Sequence, residues 1–267
     1  MKTIKLHKQE HNVKIGKDCP YYEPNIKEDC LLEVDGEIIG FYIKDVSKYS
    51  NKLSQLISIS NKEFRSDNVP KQEMMRGPRG TNADVNKRKL EGNERVTQYS
   101  TILGSIAPNA VMRRPYPNTS SVHREKKANK FIKAMWAASV EAENIIKQLT
   151  PHIHKSQLEL FKDVNKKWRF GNMFTSSISN FNIAAAYHRD TGNIVGAVNV
   201  ILTKRNNSNG GSLNVPDYNV TFEQADNSML VYPAWKNIHG VTPIIKTAED
   251  GYRNSLIFYP LKAFKGI

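Results

Sequence analysis

From residue 168 onward the chain breaks into short β-prone runs, and this texture limits the possible folds more than any other feature. The runs cover 181–187, 194–202, 212–215, 219–222, 229–231, 241–245 and 256–259, with Gly, Asn and Pro between them. Many short strands at such spacing form a sandwich or a jelly roll. The first half reads differently. Two β-prone runs flank Asp35-Gly36, a strong hairpin signal. Val46, Tyr49, Leu53, Leu56 and Ile57 recur at helical spacing, which predicts a helix over 45–60. The region 101–116 reads as one or two strands and a turn. The longest helix follows: Ala128, Phe131, Ile132, Met135, Ala138, Ala142, Ile145 and Leu149 share one face. Ser120 or Ser121 can cap it, and Pro151 stops it. A second short helix is expected over 155–164.

Helices first and strands second make an α+β chain. The expected architecture is a double-stranded β-helix, or jelly roll, with helices buttressing one face. A length of 267 residues suits a single domain, 1–267. Within it, 1–120 would supply the hairpin, a helix and a basic loop. The part 121–267 would supply helical support and the jelly-roll core.

Composition bounds the partners. No apolar run approaches the roughly 20 residues of a membrane span, so no membrane is expected. The basic N-terminus lacks an apolar stretch, so no secretory signal is expected either, and the cytoplasm (a host's, if the chain is viral) is the expected place. The two cysteines, Cys19 and Cys30, read as reduced thiols. A net charge of +13 suits a polyanionic partner, because phosphate contacts dominate nucleic-acid affinity. The polar stretch 66–100 carries Arg76, Arg79, Lys87, Arg88, Lys89 and Arg95. It reads either as a basic finger on phosphates or as a solvated loop. Cations also crowd the start of the long helix, where the dipole does not favour them. His152 and His154 read as surface histidines, with no third ligand near them in sequence.

The chemistry concentrates in Tyr187-His188-Arg189-Asp190-Thr191-Gly192-Asn193, answered by His239-Gly240-Val241. Two imidazoles and one carboxylate are the ligand set of a facial-triad iron(II) site, which leaves three positions open. His188 and Asp190, two residues apart at a strand end, share one face. His239 opens another strand. Arg253 and Ser255 lie further along, again two apart. A guanidinium fork is a natural clamp for the far end of a dicarboxylate, and a hydroxyl can add to it. His-x-Asp, a distal His, then Arg-x-Ser is the order found in 2-oxoglutarate-dependent iron(II) oxygenases.

The block His188-Arg189-Asp190-Thr191-Gly192-Asn193, with Val198 to Arg205 after it, resembles the TET/JBP nucleobase dioxygenases. The likeness covers roughly 180–260. The short gap from Asp190 to His239 is similar to JBP and phage-type members and lacks the large insertion of animal TET proteins. The resemblance implies iron(II) on His188, Asp190 and His239, 2-oxoglutarate on Arg253, and dioxygen as the oxidant. It implies hydroxylation of the 5-methyl group of a pyrimidine base, 5-methylcytosine or thymine, in DNA. The base would be flipped out or met single-stranded. Asn193, and Arg189 beside the ligands, are then the candidates for touching substrate. Gly192 departs from the TET pattern, which has histidine there, and this leaves thymine open. A monomer is expected.

Two other readings compete. An oxygenase of this architecture could act on a protein side chain or an alkylated base. Prolyl hydroxylases usually place a lysine where Arg253 stands, and Tyr259-Pro260 occupies the neighbourhood of a second AlkB-type arginine. A non-catalytic basic jelly roll that binds nucleic acid is the third reading, and the intact ligand set argues against it.

Overall fold

The computed structural model describes residues 1–73, 98–109 and 113–267. The basic residues expected to form a finger, from Arg76 to Arg95, lie outside the described residues. In chain order the first strands are β1 (Lys2–Lys5), β2 (Cys30–Val34) and β3 (Glu37–Ile43). Asp35 and Gly36 join β2 to β3 with positive φ at both positions, as a tight hairpin turn requires. Helix α1 (Asn51–Arg65) follows, capped by the Ser50 hydroxyl, which accepts from the Leu53 N–H. Next come β4 (Gln72–Glu73), β5 (Tyr99–Ile106) and β6 (Asn118–Thr119).

The long helix starts where its apolar face begins, later than a cap at Ser120 or Ser121 would place it. Two short 3-10 turns occupy Ser121–Arg124 and Lys126–Ala128, with Ser120 capping the first, and α2 runs Asn129–Leu149. The long helix does stop before Pro151, but the second helix begins at the proline itself rather than at 155. The proline sits at the first position of α3 (Pro151–Leu160), where its missing N–H costs nothing. His154 is not a surface histidine: its Nε2 lies 3.0 Å from Glu143 Oε1 and ties α3 to α2.

The remaining strands are β7 (Ser176–Phe181), β8 (Ala185–His188), β9 (Asn199–Asn206), β10 (Ser208–Gly210), β11 (Leu213–Val215), β12 (Val220–Phe222), β13 (Met229–Tyr232), β14 (His239–Val241), β15 (Ile244–Lys246) and β16 (Tyr252–Tyr259). The large sheet has the order β1-β2-β3-β13-β9-β16-β7-β5-β4, with β6 beside β5. Facing it is a small sheet, β12-β11-β14-β8. Every pairing in the two sheets is antiparallel except β1 with β2. This is the jelly roll, and strands from the first half extend its large sheet.

The period of two sorts each central strand between two cores. Leu202, Leu256 and Phe258 join Leu53, Ile57, Phe131 and Met135 of the helices on the outer face. Ile201, Leu230, Tyr232 and Ile257 join Leu213, Val215 and Phe222 of the small sheet. Arg253 and Ser255 share the Ile257 side of β16, so the alternation turns both toward the interior. No described helix is long and apolar enough to cross a membrane.

The N-terminal arm closes the edge of the small sheet. Gly16 N–H donates to the Tyr187 carbonyl and Tyr187 N–H donates to the Lys17 carbonyl, each at 2.8 Å. The arm therefore pairs with β8 as a further strand would. Its Cys19 packs on Tyr187 and Ile238. Gly240 is obligatory under it: a Cβ there would stand 2.8 Å from Cys19 Cβ and 2.9 Å from the Tyr187 ring. Both cysteines are buried and unpaired.

Candidate metal centre

His188 ends β8 and His239 begins β14, and the two are direct cross-strand partners. Their ring centroids are 4.3 Å apart. The pairing then slips, so that Val241 meets Ala185, and this irregularity sits next to the ligands. Each ring is tied to its own backbone. His188 Nδ1 is 2.8 Å from the Ala186 carbonyl, and His239 Nδ1 is 3.1 Å from the Asn237 carbonyl. A carbonyl can only accept, so Nδ1 carries the proton and Nε2 presents its lone pair.

Both Nε2 atoms face one carboxylate oxygen. Asp190 Oδ1 lies 3.5 Å from His188 Nε2 and 4.0 Å from His239 Nε2. Donor atoms of the three residues lie within 4.8 Å of one another. His239 is buried, while His188 and Asp190 are part-exposed, so the group is open on one side. Burial, and then the neighbouring His188 ring, push the His239 imidazole down to about 4, against an upward pull from Asp190. It is therefore neutral near pH 7, as a metal ligand must be. The donor set fits iron(II), with two imidazole nitrogens, one carboxylate oxygen and an open face.

The opposite wall is built around Arg253, which is 2% exposed. Its Nε is buried without a hydrogen-bond partner among the described residues. Burial, with Arg205 as the second cause, lowers its pKa to about 9. A buried cation lacking a full set of acceptors is costly, and a carboxylate beside it would offset that cost. The interior thus fits a dicarboxylate co-substrate. Ser255 is also buried, its Oγ donating over 3.4 Å to the Asn180 carbonyl.

The structure separates the two residues expected to touch substrate. Arg189 is exposed beside the ligands. Asn193 is 3% exposed, and its Nδ2 donates to Asn199 Oδ1 at 2.8 Å. The turn 190–193 folds it inward, with its N–H donating to the Asp190 carbonyl.

Three nearby residues carried no sequence signal. Asn199 opens β9 and donates from Nδ2 to Asp190 Oδ2 at 2.8 Å. Tyr232 places its ring edge-on to His239 at 5.5 Å, and its hydroxyl is buried without a partner among the described residues. Gly211 clears a path for Arg253, because a Cβ there would stand 2.8 Å from Arg253 Cδ. Asparagines and glycines near turns are common, so only the three-dimensional arrangement singles these out.

Known proteins resemble this chain in fold and in sequence family. No curated protein matches the sequence. Among solved structures, NgTET1 in complex with 5mC DNA superposes with a TM-score of 0.58 at 13% identity, covering 95% of this chain and 84% of that one. An oxidoreductase of the 2OG-Fe(II) oxygenase family from Burkholderia pseudomallei gives 0.42 at 12% identity, covering 82% of each chain. OsALKBH1 gives 0.41 at 11% identity, covering 90% of this chain and 98% of that one. The likeness to NgTET1 shows a shared fold. The model of the Tet/JBP family, described as the oxygenase domain of the 2OGFeDO superfamily, matches residues 107–262, more than half of the chain. The chain therefore belongs to the Tet/JBP family and is a dioxygenase that uses iron(II), 2-oxoglutarate and dioxygen.

Proposed function

We propose that the protein hydroxylates the 5-methyl group of a pyrimidine base, 5-methylcytosine or thymine, in DNA. The observation that carries the reading is the convergence of His188, Asp190 and His239 at the open side of the barrel, in a chain of this family. His188 Nε2, Asp190 Oδ1 and His239 Nε2 would hold the iron. Arg253 would clamp the far carboxylate of 2-oxoglutarate, and Ser255, once its hydroxyl rotates from Asn180, would add a donor. Iron and 2-oxoglutarate, when bound, supply the oxidising chemistry, and the protein supplies position and a dry interior.

For DNA as the substrate the support is the net charge of +13, the exposed Arg189 next to the ligands, and a solved neighbour that carries 5mC DNA. On this reading Arg189 would meet a phosphate of the DNA, and its exposure supports that. A methyl group must come within reach of the metal, so the base must leave its stack or arrive single-stranded.

The test is nucleoside mass spectrometry after incubation with iron(II), 2-oxoglutarate and air. Two duplexes serve as substrates, one holding 5-methylcytosine and one with thymine as its only methylated base. Gain of a hydroxyl by either base supports the reading and names the substrate. If neither base changes while 2-oxoglutarate is consumed with a peptide or an alkylated base, the nucleobase reading fails and the oxygenase assignment stands.

A further inference from the structure

Asp190 is held by a relay of two amides that face away from the open side of the centre. Asn199 Nδ2 donates to Asp190 Oδ2 at 2.8 Å, and Asn193 Nδ2 donates to Asn199 Oδ1 at 2.8 Å. Asn193 Nδ2 also lies 3.5 Å from Asp190 Oδ2. Both asparagines are buried, at 2% and 3% exposure. The direction of the relay is fixed by chemistry. A carboxylate only accepts, so Asn199 must turn its nitrogen to Asp190, which leaves its oxygen for Asn193. The backbone holds the same pieces: Asp190 N–H donates to the Ala234 carbonyl, and Asn193 N–H donates to the Asp190 carbonyl.

We infer that Asn199, locked by Asn193, is a positioning residue that reserves Asp190 Oδ2 and so offers the metal one carboxylate oxygen, Oδ1. The inference rests on the reading of His188, Asp190 and His239 as ligands. A carboxylate free to rotate can chelate through both oxygens and take up an extra coordination position. A centre that must accept a bidentate co-substrate and dioxygen cannot spare that position. The relay removes the choice by engaging Oδ2 before any metal arrives.

The test uses cobalt(II) as the metal probe, in the full chain, without turnover. Wild type, Asn199→Ala, Asn193→Ala and His188→Ala are titrated with cobalt(II), and 2-oxoglutarate is then titrated into each cobalt-loaded protein. Loss of a partner behind a metal ligand costs about 10- to 100-fold in affinity. Asn199→Ala is expected to lose cobalt affinity within that range, to change the visible d–d spectrum, and to bind 2-oxoglutarate more weakly once loaded. Asn193→Ala is expected to move the same three readouts in the same direction by less. It carries the test by itself if Asn199→Ala does not fold. A merely structural role would lower thermal stability and leave the spectrum of the loaded protein unchanged.

The inference is overturned if wild type binds cobalt(II), His188→Ala does not, and both asparagine variants match wild type in affinity and spectrum. If wild type itself takes up no cobalt(II), or His188→Ala binds it equally well, the ligand assignment fails and takes the relay with it.

Discussion

Arg253 and Arg205 stand directly opposite each other on β16 and β9, yet only one of them is fully occupied by the fold. Arg205 donates to the carbonyls of Ser208, Gly210 and Gln224. Arg253 keeps a buried Nε without a partner among the described residues. Two guanidiniums side by side lower the pKa of Arg253 further than burial alone, and they raise the local demand for an anion. On the proposed function the pair would divide the labour: Arg205 braces the β9–β10 turn, and Arg253 would be left for the co-substrate.

That division is testable by substitution. Arg253→Ala is expected to weaken 2-oxoglutarate binding by about 100-fold or more, since truncating one partner of a buried charge pair typically costs 2–5 kcal/mol. The thermal midpoint of the ligand-free protein should hold or rise, because an undercompensated buried charge is gone. Arg205→Met should do the reverse and lower stability through three carbonyls left without a donor. Calorimetric titration and thermal melts separate the two.

Gly211 should behave as part of the clamp although it touches no ligand. Its φ is +64°, and a Cβ would meet Arg253 Cδ at 2.8 Å and Ile244 Cγ1 at 2.9 Å. Gly211→Ala combines backbone strain with displacement of the guanidinium. We expect roughly 10-fold weaker 2-oxoglutarate binding, on the principle that small misplacements of a positioning group are costly. The metal affinity should be unchanged, since Gly211 lies away from the three ligands in sequence and contacts. Metal titration of the same variant checks this.

Stability of the metal-free protein should depend on pH through His239. Its pKa is lowered in the fold to about 4, whereas an unfolded imidazole titrates near 6.5. Between those values the unfolded chain binds the extra proton. The stabilising contribution is therefore complete above about 6.5 and is lost progressively as pH falls toward 4. Urea midpoints measured down that range should fall, and His239→Gln should flatten the decline. A midpoint rising with acid would contradict the buried neutral ring.

Gln157 offers a stability test remote from the chemistry. It is buried on α3, donates to the Met173 and Val198 carbonyls, and accepts from Val198 N–H through Oε1. It thus pins the residue just before Asn199. Gln157→Leu leaves buried backbone groups unsatisfied and should cost roughly 3 kcal/mol, as lost buried partners do. Denaturant unfolding measures it.

How much of this was legible in the sequence follows from what kind of signal each part leaves. The β2–β3 hairpin was legible because Asp35-Gly36 encodes its own turn. The runs of 212–215, 219–222 and 229–231 were legible because strands announce themselves locally. So was the spacing of His188, Asp190 and His239. Contacts between distant segments leave no such mark. Nothing at residues 16–17 announces that the arm pairs with β8. Nothing at Asn199 announces its carboxylate partner, since its neighbours in sequence read only as a buried strand. The stop before Pro151 was legible, but the start of the second helix was not. Proline marks a helix start as readily as a stop, and Thr150 with its φ of −138° makes the break that periodicity hides.

The ties from His188 and His239 to the carbonyls two residues before them have a consequence for the life of the protein between turnovers. Each ring is already oriented by the chain itself, so losing the ion need not loosen the barrel. Metal loading then resembles docking into a finished socket rather than a folding step. A molecule stripped by a chelator should keep its shape, remain soluble, and regain its ion on simple resupply, with no chaperone and no refolding cycle between.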